Sequence, residues 1–412
     1  YPGVSNQHDE SAAAATTAGL NEALADATAN KLVAYFPAGT YYVNDTLKAH
    51  TATGLPASEP GYKHATPRNS LAVIGATDGS ARPVIKLAAG AAGFGNAAAP
   101  KSLLEFMNFD DDASIGIKSA EKESEGYNQM LRGVDLDCSG FAGAVGLYFN
   151  QAQGSSIEDI RVTANGAFAG IRALPGRGCT VVNIIIEGGQ YGIDTLATGA
   201  AGSVITGATF INQTVSAIRY DGFVPLVVAG FEIITPAGSP QAALTIQASG
   251  KANSSCVNLI DGIIRLGAEP GVAAINNSPG GNFYARNVYV TGADKLVRSG
   301  PNAAVSGVGT WKLIGEYSYC DQSAPDSDGK ASWTLVDGVV SKTPLPLNNG
   351  EVVTLAEHAS APPVGLVGRH AWKRLPSVTD ADAFDAFDAG IVPGPVSSVA
   401  LQAVIDAHQK VF

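Results

Sequence analysis

The sequence predicts an all-β chain wound as a right-handed parallel β-helix, a solenoid whose coils each hold about two dozen residues. Three observations lead there. A six-residue phrase recurs at near-constant spacing, the composition is poor in charge and rich in glycine, and a helix-like segment stands before the first strand, where a solenoid needs a cap.

The phrase is apolar, any, Gly/Asp/Asn, apolar, any, apolar. It reads Leu131-Arg-Gly-Val-Asp-Leu136, Ile157-Glu-Asp-Ile-Arg-Val162, Val181-Val-Asn-Ile-Ile-Ile186 and Ile205-Thr-Gly-Ala-Thr-Phe210. It continues as Val228-Ala-Gly-Phe-Glu-Ile233, Ile260-Asp-Gly-Ile-Ile-Arg265 and Ala285-Arg-Asn-Val-Tyr-Val290, with starts 26, 24, 24, 23, 32 and 25 residues apart. A further 26 residues reach Trp311-Lys-Leu-Ile314, read as a degraded copy with Trp311 at a core slot. The third slot suits a residue that turns the chain through a left-handed conformation. After it, apolar and polar positions alternate, so one strand face points inward. A propeller blade needs about 40 residues or more, so the period selects the β-helix. The dense leucine pattern of leucine-rich repeats is missing.

Composition agrees. Only 15% of the 412 residues are charged, against 48 glycines, which favours strands and turns over helices with charged faces. The net charge is −11 and no basic run occurs, which argues against nucleic acid and anionic membrane as partners. The longest apolar stretch, Val224 to Ile234, is broken by Pro225 and Glu232 and is too short to span a bilayer.

Residues 12–28 supply the cap, with Leu20, Ala23 and Leu24 on one helical face. Two short strands follow in Leu32 to Val43, punctuated by Pro37 and Gly39. The expected domain is residues 1–342, and a Pro-, Ala- and Asp-rich strap spans 343–396. Residues 397–412 then repeat the order of Thr17 to Val33, so they read as the start of a second β-helix, continued on the same or a cleaved chain. The first residue is Tyr1, the cysteines are even in number (Cys138, Cys179, Cys256 and Cys320, all disulfide candidates) and sequons stand at Asn44, Asn212, Asn253 and Asn276. Together these point to a secreted, extracellular glycoprotein. No CxxC spacing suggests zinc, and no cofactor is expected.

Candidate chemistry falls on the outward slots. Asp135 and Asp137 stack with Arg161 and then Glu187 on coils about 4.8 Å apart. Paired carboxylates beside an arginine suit acid/base work on a glycosidic bond, or Ca²⁺ binding in a polysaccharide lyase with Arg161 as base; the alternative is an exposed ion-pair ladder. Asp110-Asp-Asp112 lacks regular oxygen-ligand spacing and reads as a solvated loop. Among the tryptophans, Trp372 in the strap is the candidate for stacking on a sugar ring. All six histidines lie outside the recurring coils, which argues against a Ser-His-Asp triad there.

The capping helix, the strand Phe36-Pro-Ala-Gly-Thr-Tyr41 and the coil motifs resemble the pectate-lyase-like β-helix superfamily. Within it the chain is most similar to glycoside hydrolase family 55, β-1,3-glucanases built of two tandem β-helices. Val134-Asp-Leu-Asp137, Gln151-Ala-Gln-Gly154, Gly170-Ile-Arg172 and Gly188-Gly-Gln-Tyr-Gly-Ile193 carry the likeness. The resemblance implies inverting hydrolysis of a polysaccharide, with the general acid on the second β-helix and Gln153 positioning water. Where family members tend to carry His/Gln, this chain has Phe168 and Ala169, and a Gln-rich stretch is replaced by Ala200-Ala-Gly-Ser-Val204. Those departures favour a non-catalytic glycan-binding or structural relative, whereas the Gln153 motif and the commoner use of this architecture favour the hydrolase, which is the expectation taken here.

Overall fold

A computed structural model describes residues 1–52, 70–76, 81–112, 117–121, 126–196, 202–222, 224–237, 242–247, 256–277, 282–299, 302–306, 311–321, 332–336, 339–341, 361–363 and 366–367. Most of the expected strap and all of residues 397–412 lie outside these, as do the side chains of Asp110 to Asp112.

Three parallel ladders build the solenoid. The first begins with Val33–Phe36, Ala72–Gly75 and Met130–Arg132, and the second with Gly39–Val43, Pro83–Leu87 and Asp135–Asp137. From Ser156–Ala164 onward one strand serves both faces in each coil, through Cys179–Gly188, Ser203–Ile211 and Leu226–Ala237 to Cys256–Asn277 and Asn282–Ser299. The third ladder runs Leu47–Ala52, Lys101–Asp112, Ala144–Phe149, Ala169–Arg172, Tyr191–Asp194, Ser216–Tyr220 and Leu244–Ile246, and ends in the later parts of the last two long strands.

Each face contributes an inward column. Leu131, Ile157, Val181, Ile205 and Val228 are in register and fully buried, as the recurring phrase requires, while Asp135, Arg161 and Glu232 face out. The third face has its own column, from Leu47 through Leu104, Leu147, Ile171, Ile193, Ile218, Leu244 and Ile275 to Val297. Between first and second faces sits the left-handed slot, filled by Gly133, Asp159, Asn183, Gly207, Gly230, Asp261 and Asn287, all with φ between 49° and 71°.

Asp261 in that slot corrects one repeat boundary. Val228 pairs with Leu259, not Ile260, and Leu259 pairs with Ala285, so that copy begins one residue earlier. Sequence pattern favoured Gly262 as the turning residue. Phe231, one coil below, decides otherwise, because its ring fills the space a side chain at residue 262 would need; a Cβ there would lie 2.2 Å from the ring. Glycine is the residue that lets the two coils approach.

The coil expected at Trp311 is also corrected. Lys312–Asp321 pairs antiparallel with Asn282–Ser299, and Ser332–Val336 and Val339–Ser341 continue that reversal. Parallel stacking therefore stops after Asn282–Ser299 on this face. Trp311 is half-buried and not in the core; the Arg265 guanidinium lies 4.7 Å from its ring centroid.

At the other end, helix α1 (Ala13–Asn30) buries Leu20, Leu24 and Ala27, with Ala23 half-buried. It stops at Lys31, which is left-handed with φ 57° and returns its N–H to Ala27. The helix also serves the strand edge chemically. Asn21 accepts from the Lys48 amide at 2.7 Å and donates to the Thr46 carbonyl at 3.1 Å, and the Thr17 hydroxyl accepts from the Asn44 amide at 2.9 Å. These bonds satisfy backbone groups that would otherwise template another strand.

Gly262→Ala should therefore destabilise by about 1–3 kcal/mol through overpacking, and Phe231→Leu in the same chain should recover part of that loss. Chemical denaturation of the two single variants and the double variant measures the coupling.

Candidate functional site

The residues singled out on the second face do come together, as an internally neutralised ladder. Arg82 grips Asp135 with two bonds of 2.9 and 3.0 Å and reaches Asp159 with a third of 2.9 Å, as well as bonding the Asp159 carbonyl. One guanidinium thus ties its own coil to the next two. Asp159 also accepts from Asn183 at 3.0 Å. Lys86 pairs with Asp137 at 3.0 Å, and Arg161 pairs with Glu187 at 3.1 Å while its amide donates to Asp135 at 2.8 Å. Burial pulls the Asp137 pKa up, but Ser139 and the Lys86 ammonium pull it down further, so its carboxyl sits below the ordinary value. Each carboxylate here meets a cation, Arg82 serving both Asp135 and Asp159, and no group of three or more metal-ligating side chains occurs among the described residues.

Gln153 lies in a turn with its side chain exposed, and its carbonyl accepts from the Asn128 amide at 3.1 Å. Trp372 lies outside the described residues. Of the sequons, Asn44 and Asn212 are exposed, Asn276 is half-buried within a strand, and Asn253 is outside the described residues. The cysteine reading is corrected for two of its four members. Cys138 and Cys179 are free thiols. Both point into the wall of the solenoid, 0 and 1% exposed, and the Cys179 thiol donates to the Ala152 carbonyl at 3.1 Å. The side chains of Cys256 and Cys320 are outside the description. Burial pushes the Cys138 thiol up to about 12.

The third face carries a different surface, which sequence reading missed. A triplet of small, aliphatic, polar recurs there as Gly146-Leu-Tyr148, Gly170-Ile-Arg172, Gly192-Ile-Asp194 and Ala217-Ile-Arg219. Its last members stack in register as Tyr148, Arg172, Asp194 and Arg219. The glycines make room inside: a Cβ at Gly170 would lie 2.3 Å from Ile186, and one at Gly192 would lie 2.7 Å from the Phe210 ring. The signal was legible in the triplet, but Gly170-Ile-Arg172 and Gly192-Ile193 entered the sequence analysis only as carriers of the family resemblance.

Asp194 is 1% exposed and is held by Arg219 through bonds of 2.7 and 2.8 Å. Arg219 also donates to the Tyr191 hydroxyl at 2.8 Å and lies 3.7 Å from that ring's centroid. Phe168 meets Tyr191 edge to face at 5.5 Å. Phe168, Tyr148 and Tyr191 are all half-buried, so the face offers aromatic rings to solvent beside planar polar groups. A groove of about 480 Å³ lies elsewhere, between α1 and the first strand; Tyr1, Leu20, Leu24, Tyr35 and Phe36 make it largely apolar.

Comparison with known proteins adds little beyond this. No protein-family profile matches the chain, and no curated protein matches it. Among solved structures, a Geobacillus virus E2 protein (ORF18) is 10% identical with a TM-score of 0.35, over 75% of this chain and 66% of that one. PfbA, a surface adhesin of Streptococcus pneumoniae, is 11% identical with a TM-score of 0.33, over 76 and 98%. The catalytic unit of an α-1,3-glucanase from Streptomyces thermodiastaticus is 12% identical with a TM-score of 0.23, over 71 and 62%.

Two outcomes follow from the site geometry. Alkylation of the unreduced, denatured protein should label Cys138 and Cys179, whereas the native protein should leave Cys138 unlabelled; a cystine peptide containing either residue would contradict the fold at these positions. Because the folded Asp137 pKa lies below its unfolded value, its stabilisation is present above about pH 4 and is lost as pH falls through the folded value. The Tm should decline on acidification over that window, and Lys86→Met should make the decline shallower.

Proposed function

We propose that this chain is the polysaccharide-binding β-helix of a secreted carbohydrate-active protein, and that the glycan lies across the third face. The observation that carries this reading is the half-buried aromatic group of Tyr148, Phe168 and Tyr191, set beside Arg172 and Arg219. Aromatic faces suit the C–H groups of pyranose rings, and planar donors suit their hydroxyls. The exposed sequons at Asn44 and Asn212 are compatible with secretion.

The finer reading takes the polymer as a β-1,3-glucan and the reaction as its hydrolysis with inversion. It rests on the motif resemblance, with Gln153 orienting water and a second β-helix, on this chain or a cleaved one, supplying the general acid. The third face supports binding more directly than bond cleavage, because the carboxylates stacked on it are engaged, Asp194 buried under Arg219 and Glu105 3.2 Å from the His50 ring nitrogen. That favours a glycan-binding role for this β-helix by itself. A lyase holding Ca²⁺ between Asp135 and Asp137 would first have to displace Arg82 and Lys86.

Residues 1–412 should bind laminarin without releasing sugars from it. Phe168→Ala should weaken that binding about fivefold to tenfold, about 1–1.4 kcal/mol, with little change in Tm. A longer natural protein should hydrolyse the glucan with inversion, and Gln153→Ala should slow its turnover without affecting stability. Titration calorimetry and sugar release measure these. Laminarin binding unchanged by Phe168→Ala would move the glycan off this face.

A further inference from the structure

Among the described arginines, Arg172 alone has a buried guanidinium nitrogen without an acceptor. Arg82, Arg132, Arg161, Arg219 and Arg265 each meet a carboxylate within 4.0 Å. The Arg172 guanidinium is half-buried, its Nε is fully buried without an acceptor, and among the described residues no hydrogen-bond or ion-pair partner is found for it. Its neighbour one coil above, Asp194, has both oxygens engaged by Arg219. Its neighbour one coil below is Tyr148, a neutral ring.

The corner that follows holds a second unsatisfied group. The Gln151 side chain is 2% exposed, and among the described residues neither polar atom of its carboxamide has a partner. Its backbone joins the same corner, accepting from the Gly176 amide at 2.7 Å. Half-burying a cation without a counter-charge is costly, and buried polar groups without partners are rare in native proteins. A guanidinium so placed is a preorganised receptor for a pair of anionic oxygens.

We infer that Arg172 forms a subsite for an anionic substituent, a carboxylate or a sulfate ester, on the polysaccharide that lies across the third face. The inference rests on the third-face reading given above and adds the charge of the ligand. The field of the whole protein works against it: a chain of net charge −11 repels polyanions at long range, so tight binding of an acidic glycan would report a local site and not general attraction.

The test compares laminarin, carboxymethylated β-1,3-glucan and sulfated β-1,3-glucan by titration calorimetry on the full chain, with thermal melts to verify folding of each variant. The acidic polymer that fits should bind at least about tenfold more tightly than laminarin, and whichever of the two does so identifies the substituent. R172Q should erase that preference, bringing the acidic polymer down to the same variant's own laminarin affinity, while R172K should keep part of it. A preference that survives R172Q overturns the subsite. Equal binding of neutral and acidic polymers, weakened by Phe168→Ala, overturns the subsite and leaves the third-face reading standing. No binding of any polymer overturns both.

Discussion

Each coil must change direction between its first and second faces without losing backbone pairing to the coils above and below, and one residue at positive φ does this. Because that residue recurs at the same point of every coil from Gly133 to Asn287, the strands on either side keep register with their neighbours. Register then decides which side chains face in, since a slip of one residue would exchange core for surface. Asp159 and Asn183 show how non-glycine residues tolerate the conformation: their short polar side chains bond to each other across coils, and Asn287 and Asp261 repeat the arrangement at 2.7 Å.

The polar faces follow from the same stacking, with different results. On the second face, opposite charges fall on successive coils and neutralise one another, which makes a stabilising wall with little free chemistry. On the third face the stacked residues run Tyr148, Arg172, Asp194 and Arg219, so one carboxylate stands between two guanidiniums. Arg219 takes it, and the charge left over is Arg172. The distinction is one of stoichiometry along a column, not of residue type.

The first-face period was readable because its slots impose strong residue choices: apolar where the core is, Gly, Asp or Asn where φ is positive. Leu131, Ile157, Val181, Ile205 and Val228 needed only that pattern. Two boundaries were not readable from it. At residues 259–262 the turning slot holds Asp261 while a glycine stands one place later to admit the Phe231 ring, and a local pattern cannot see a ring one coil away. At Trp311 the spacing persists, but the strand runs the other way, and spacing carries no sign of direction. The site was less legible than the fold. Asp135 and Asp137 looked reactive because their partners Arg82 and Lys86 lie some 50 residues earlier in the chain, brought alongside only by the winding.

The three-coil grip of Arg82 has a consequence for how the stack comes apart. Solenoids couple mainly between neighbouring coils, so they tend to fray from an end. Near the amino-terminal end, Arg82 joins three coils at once and α1 is stitched to the strand edge by Asn21 and Thr17; beyond Asn282–Ser299 the described strands pair antiparallel. Under heat or tension, the coils that Arg82 ties together should therefore separate later than neighbouring coils held by backbone pairing and core contacts alone.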